Sequence, residues 1–262
     1  MTNLIFIEGV SGAGKSTAVT AVAEALRAQG HKVCHYIEGD PDCPLDLYWA
    51  AYLTIPQYES ILQRYPAFAD ELMRNVIAKE EAYILLRYQV WKTRLYSQDL
   101  SDELHRHEFC YNPTNVKPVP KLTEVFVRLW QRFAEGAGQW DYAVFDASWL
   151  SHRTNDLLTT NNAVADEIAD HLEALLATVR HLNPAVFYLA PDNVRACRLA
   201  ACQSRKKGPP SEENIQFWKR RYEMDMKVLP KLSIKAEVIN ITNGWVEVAP
   251  AILKKTANSA CK

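Results

Sequence analysis

Gly9, Gly14, Lys15 and Ser16 stand at the spacing G-x-x-x-x-G-K-[ST] within "EGVSGAGKST", with no mismatch. Residues of these types at this spacing do one kind of chemistry: they hold a polyphosphate. Gly9, Gly12 and Gly14 permit turns and a close backbone approach that a Cβ would block. The N–H groups of residues 10 to 15, Ser11 and Ala13 among them, can therefore wrap a β-phosphate. Lys15 can reach the β- and γ-phosphates, Ser16 can ligate Mg²⁺, and Thr17 can donate to the α-phosphate. Nucleotide binding follows from this stretch, but not a reaction, because switches, motors and kinases share the loop.

Three other groups of charged residues could act on a bound phosphate. "IEGDPD" carries Glu38 and Asp40, either of which could be the general base that takes a proton from an attacking hydroxyl, with Asp40 slightly favoured. Either could instead cap a helix beginning at "PLDLYWAA". Asp146, closing the apolar run "YAVFD", has the form of an acid that holds Mg²⁺, with capping of the next helix as the other reading. Arg195, Arg198, Cys202 and Arg205 recur at steps of 3, 4 and 3, so they share one stripe of a helix, with Lys206 and Lys207 at its end. Such a stripe could close over a triphosphate, Arg198 and Arg205 stabilising charge on the transferred phosphoryl, or it could be a solvated basic face. "KKGPPSEEN" then breaks the helix, as a mobile lid over about 195–214 would need.

The elements that must position these residues alternate. Apolar, β-branched runs at about 3–8, 32–38, 141–146, 184–190 and 236–241 read as strands, separated by amphipathic helical stretches. Gly30 ends the first helix, 16–28. Alternation of this kind predicts an α/β fold with a five-stranded parallel sheet and helices on both faces. In such sheets ligands bind beyond the carboxyl ends of the strands, where Glu38, Asp40 and Asp146 fall. Residues 41 to about 138 interrupt the pattern with aromatic and apolar residues at helical spacing, and predict a mostly helical insertion on the substrate side. Tyr48, Trp49, Tyr52, Tyr88 and Trp91 within it either pack helix on helix or line an aromatic pocket. The segment would close on substrate or form a homodimer interface, and the sequence leaves both open.

The 262 residues make room for one large domain with an inserted part. Lys plus Arg, 30, nearly cancel Asp plus Glu, 31, which argues against a nucleic-acid or anionic-membrane partner. No apolar run approaches the ~18 residues of a membrane span, and the N-terminus enters a strand directly, so a cytoplasmic protein is expected. The six cysteines show no paired C-x-x-C spacing and are expected to be reduced thiols. His105, His107 and Cys110 in "LHRHEFC" fit no common zinc spacing and read as a solvated polar turn.

"IFIEGVSGAGKST", "EGDPD" after the second strand, and "FYLAPDNVRACRLAACQSRKKG" together resemble the P-loop kinases of the nucleoside and nucleotide kinase group, such as thymidylate and deoxynucleoside kinases. The resemblance covers about a third of the chain. It implies a three-layer P-loop NTPase sandwich, Lys15 and Ser16 on phosphates and Mg²⁺, Glu38 or Asp40 as base, and Arg198 and Arg205 as lid arginines. It implies ATP and Mg²⁺ as cofactors and a small-molecule phosphoryl acceptor. Adenylylsulfate kinases place an acid similarly, so the acceptor is not fixed. "FDAS" departs from the acid followed by arginine that the group usually carries, and the nearest basic residue is Arg153. The competing reading is an NTPase switch or nucleotide sensor acting through a protein partner. A guanine-reading N-K-x-D strand end is missing from "LAPD" and "NIT".

Overall fold

The computed structural model describes residues 2–90, 93–241 and 247–260, with side chains to residue 256. Trp91 and Cys261 lie outside the described residues. The chain opens with β1 (Asn3–Gly9), the glycine-rich loop, α1 (Lys15–Ala28) and β2 (Val33–Tyr36). Gly30, at φ 90°, reverses the chain after α1, and the N–H groups of Gly30 and His31 donate back to the carbonyls of Arg27 and Leu26. There follow β3 (Ala50–Thr54), α2 (Ile55–Arg64), α3 (Ala69–Arg74), β4 (Val76–Lys79), β5 (Tyr83–Arg87), the short pair β6 (Gln89–Val90) and β7 (Thr93–Arg94), and α4 (Gln98–Arg106). The remainder is α5 (Val119–Gly136), β8 (Tyr142–Asp146), α6 (Leu150–Asp156), α7 (Ala165–Val179), β9 (Pro184–Ala190), α8 (Val194–Ser204), α9 (Glu212–Val228), β10 (Glu237–Asn240) and α10 (Val248–Ala260).

Five strands form one parallel sheet in the order β10-β9-β1-β8-β2. β1 is central, and its residues alternate between the two faces. Leu4 and Phe6 enter the core under α5 and α7, where Phe6 stacks on Trp130 and Phe145 at ring separations of 5.6 and 5.5 Å. Ile5 and Ile7 face α1 and α10, with Val19, Val22, Leu26 and Ile252. A central strand covered on both faces must be apolar throughout, which is why this run stood out in the sequence. The register sets Ile7 beside Asp146 and Gly9 beside Leu189, so the carboxyl ends of β1, β8 and β9 meet at one edge of the sheet.

The interrupting segment differs from expectation in three ways. Beside its helices it holds a three-stranded antiparallel sheet, ordered β3-β5-β4. Tyr83 and Leu85 of β5 face the main core, whereas Ile84 and Leu86 face a small second core with Leu53, Ile61, Leu72, Leu100 and Leu104. The apolar runs are short and buried on both sides, a pattern that strand and helix share, so periodicity could not separate them. In addition, α5 belongs to the helical layer on the main sheet, where Leu122, Val125, Phe126 and Leu129 join the core of α7. Residues 41–49, expected to begin a helix, form turns instead.

Candidate active site

The glycine-rich loop joins β1 to α1 with its three glycines at positive φ: 140° at Gly9, 94° at Gly12 and 79° at Gly14. A Cβ at Gly9 would lie 2.6 Å from the Leu189 carbonyl oxygen, and one at Gly12 would lie 2.7 Å from the Ala201 Cβ. These glycines therefore also admit the neighbouring strand and α8. Gly14 caps α1 in the left-handed conformation, no side chain caps the helix, and its first turn holds no acid. That leaves the positive end of the α1 dipole facing the loop, a setting that favours an anion. Lys15 is buried and its Nζ crosses the loop to the Val10 carbonyl at 3.2 Å.

Asp146 faces the loop from the end of β8. Its Oδ2 accepts from the Ser16 hydroxyl at 2.5 Å and from the Glu38 backbone N–H at 3.2 Å. Oδ1 is buried with no hydrogen-bond partner. Capping is not its role, because α6 begins four residues later with Trp149 at the cap position. A carboxylate with one unpartnered buried oxygen beside a serine hydroxyl fits a hard cation that retains water and phosphate ligands. Ser16 and Asp146 could hold such a cation.

On the far side of Asp146 lies a chain of alternating charges. The half-exposed Glu38 places Oε1 3.8 Å from Nε2 of His152. His152 is buried, and its Nδ1 is 3.3 Å from Oδ2 of Asp46. Asp46 is buried in turn, its Oδ1 3.6 Å from Nη2 of Arg153, whose guanidinium lies over the Phe126 ring at 3.8 Å. Pairing with His152 holds the Glu38 carboxyl down at about 2, against its own desolvation and with help from Lys15 and Arg205. Burial opposes charge on His152, but Asp46 and Glu38 outweigh it and push the imidazole up to about 9. Burial likewise works against the Asp46 anion, yet His152 and Arg153 leave its carboxyl below the usual range. Asp40 stands farther along, accepting the Asp42 N–H in a turn at 2.9 Å. With Asp46, Tyr48, Trp49 and Arg87 it lines a crevice too tight to admit a water molecule.

The basic stripe of α8 divides. Arg198 turns inward: its Nη1 donates to Ser11 Oγ at 2.7 Å, Nε and Nη2 donate to Asn214 Oδ1 at 3.3 and 3.0 Å, and its guanidinium lies 5.4 Å from the Trp218 ring. It therefore clamps the loop to α9 rather than standing free over it. Arg195 pairs with Glu212 of α9. Arg205, just past the end of α8, lines a cavity of about 720 Å³ with Gly12, Gly14, Thr17, Pro191 and Asn193. This cavity continues from the loop along α8 and has room for the nucleoside end of a nucleotide.

Beneath the loop a second set of buried polar groups fixes α6. Glu8 is fully buried, and its two carboxylate oxygens accept the N–H groups of Trp149 and Ser151 at 3.0 and 2.8 Å. Arg221 reaches Asp225 at 2.9 Å and the Ser151 carbonyl at 3.2 Å, and the Tyr188 hydroxyl donates to Asp225 at 2.6 Å. Burial pushes the Asp225 carboxyl up to about 6 despite both partners.

Of the residues marked in the sequence, the fold brings together Gly9, Ser11, Gly12, Ala13, Gly14, Lys15, Ser16, Thr17, Glu38 and Asp146, with Arg205 at the rim. Asp40 stands off in its turn. Of the aromatics, Tyr48 and Trp49 line that crevice, whereas Tyr52 stacks in packing on Tyr83 at 4.7 Å and Tyr88 is buried. His105 bonds the Tyr88 hydroxyl while Cys110 lies against Arg153, so "LHRHEFC" is not the solvated turn expected at Cys110. Asp46, His152, Arg221 and Asp225 were missed. For His152 a signal existed, a histidine next to Arg153 shortly after Asp146, but its carboxylate partners come from a different segment.

No family model matches the chain, and no curated protein matches it. Among solved structures, a crystal structure of a gluconokinase from Sinorhizobium meliloti 1021 is similar at 12% identity and a TM-score of 0.43, over 98% of this chain and 92% of that one. No helix among the described residues is long and apolar enough to cross a membrane.

Proposed function

We propose that this chain is an ATP-dependent kinase that transfers the γ-phosphoryl group to a hydroxyl or phosphate of a small molecule. The observation that carries the reading is the meeting of Ser16, Asp146 and Glu38 at the mouth of the glycine loop: a cation-holding pair with a carboxylate fixed beside it. A switch or sensor needs the loop and the cation pair, but has no use for a half-exposed carboxylate registered beside them.

In this reading the loop N–H groups and the α1 dipole hold the β-phosphate, and Lys15 neutralises charge on the β- and γ-oxygens. Mg²⁺, when bound by Ser16 and Asp146, supplies further neutralisation of the phosphate charge. The acceptor approaches from solvent at the mouth of the loop, with its hydroxyl against the half-exposed Glu38. Transfer forms the acceptor O–P bond, breaks the bond to the bridging β,γ-oxygen and releases ADP, while the hydroxyl proton passes to Glu38. A carboxyl held near 2 is a weak base, and a loose phosphoryl transition state asks little proton abstraction of it before the O–P bond forms. Its main task is to aim the hydroxyl. Arg205 reaches the same charge from the rim of the cavity. Cys34, Cys43, Cys110, Cys197 and Cys202 are free thiols, which suits work in the cytoplasm.

The test is ADP release from Mg·ATP against a panel of nucleosides, nucleoside monophosphates, sugars and hydroxylated antibiotics, with mass spectrometry of the products. A product heavier by one phosphate is expected, with kcat at least ~100-fold lower in Lys15→Ala. Slow ADP release independent of every acceptor, or near-normal turnover in Lys15→Ala, would overturn the reading.

A further inference from the structure

We propose that His152 is a positioning residue for Glu38, an imidazole seated between Asp46 and Glu38 that fixes which carboxylate oxygen faces the phosphoryl acceptor; this rests on the kinase reading above. Glu38 is fixed from two ends. Its backbone N–H is bound to Asp146, so the residue is registered to the cation-holding pair. Its Oε1 lies 3.8 Å from His152 Nε2, while Oε2 has no ion-pair partner among the described residues and is the oxygen left for an acceptor hydroxyl.

The imidazole is itself held on every side. Asp46 faces Nδ1, and Asp46 is braced by Arg153 from the same helix as His152. The Tyr48 ring stands edge-on to the imidazole at 5.0 Å. Tyr48 stacks on Tyr111 at 5.2 Å, and the Tyr111 hydroxyl donates to the His152 carbonyl at 2.7 Å. Charged or titratable groups around His152 are therefore Glu38, Asp46 and Arg153, with the Tyr48 and Tyr111 phenols beside them and Lys15 and Arg205 acting on Glu38.

His171 shows what a merely structural imidazole looks like in this fold. It is equally buried, bonds Thr123 at 2.7 Å, and has no carboxylate on either nitrogen. His152 instead has a carboxylate near each ring nitrogen, Asp46 at 3.3 Å and Glu38 at 3.8 Å, both from the stretch between β2 and β3, and joins the core to the half-exposed Glu38. Placing a charge pair there is costly unless each charge is matched. The alternating row Arg153, Asp46, His152, Glu38 supplies the match and leaves its last member, the only half-exposed one, at the mouth of the loop.

The test uses the full chain and two readouts. The first is Mg·ATP turnover, with water as acceptor if none is yet identified, alongside the Kd of a fluorescent ADP. His152→Gln and Glu38→Gln should each lower turnover at least ~10-fold, the double variant should lose no more than either alone, and the Kd should stay within about twofold. Asp46→Asn, which leaves the imidazole in place, should fall in the same direction. The second readout is the ring ¹⁵N shifts of His152, expected to report both nitrogens protonated at neutral pH and to move in Glu38→Gln. Additive losses in the double variant, or a Kd that weakens as much as turnover falls, would make His152 structural and overturn the proposal. Ring shifts unmoved by Glu38→Gln would do the same. A wild-type chain that transfers phosphate to nothing would sink the kinase reading instead, and the ring shifts would still decide whether His152 holds Glu38.

Discussion

Glu38 and Asp40 are two residues apart, the sequence slightly favoured Asp40, and their surroundings separate them. Asp40 spends its carboxylate on the Asp42 N–H, whereas Glu38 faces His152 and is registered to Asp146. Glu38→Gln is therefore expected to lower kcat by about 10²-fold, while Asp40→Asn changes it less than about fivefold. Steady-state kinetics with any acceptor found by the panel checks this, and the reverse ranking would return the base to Asp40. Arg198 changes its expected role for a similar reason. Its donors are committed to Ser11 and Asn214, so it braces the loop against α9. Arg198→Ala should weaken Mg·ADP binding and lower kcat together, by about tenfold each, since it removes a contact made equally before and during transfer. A fall in kcat alone would restore it as a transition-state contact.

At the scale of elements, the loop and α8 are a packed pair. Gly12 sits against Ala201 and the Cys197 carbonyl, so the loop's shape depends on a helix nearly two hundred residues away in the chain. Gly12→Ala should cost stability on the order of 1–3 kcal/mol, from the clash and the strained φ together. Adding Ala201→Gly removes the Cβ that is struck and should recover part of that loss, as read by denaturant unfolding. A double variant no more stable than Gly12→Ala would place the whole cost in the backbone. The helical stripe of arginines was legible as a period, but a period fixes only which residues share a face. Whether that face meets solvent, phosphate or protein depends on α9, whose Glu212 and Asn214 take up Arg195 and Arg198.

For the whole molecule, the buried charge row ties the main domain to the interrupting segment, and it titrates. His152 is raised from 6.5 to about 9 in the folded chain. A raised folded value means the charged form is favoured by folding, so this contribution is complete below about 6.5 and is lost as pH rises through 9. Asp225 acts with the same sign at lower pH, its contribution declining between about 4 and 6 as the buried carboxyl ionises. Glu38 has the opposite sign, losing its contribution as pH falls from 4.5 toward 2, and solvent at its half-exposed side chain weakens the effect. The melting temperature of the wild type should thus fall between pH 6.5 and 9, and Asp46→Asn should flatten that fall. Differential scanning fluorimetry across that window checks it, and parallel curves for the two proteins would remove His152 as the titrating group.

The sequence by itself determined the main sheet and the glycine loop, because both depend on local pattern. β1, β8 and β9 are apolar runs buried on both faces, and Gly9, Gly14, Lys15 and Ser16 lie within a single turn of chain. Asp146 was legible too, since the end of a buried strand is a definite place in a parallel sheet. The tertiary structure alone decided the rest. It set Glu38 rather than Asp40 beside Asp146, paired His152 with Asp46 across more than a hundred residues, and turned Arg198 into the loop. It also gave the interrupting segment its antiparallel sheet, since short doubly buried runs carry no period that separates strand from helix. The physical reason is common to these cases: a charge's role is set by what it pairs with, and those partners are brought together by packing, not by spacing along the chain.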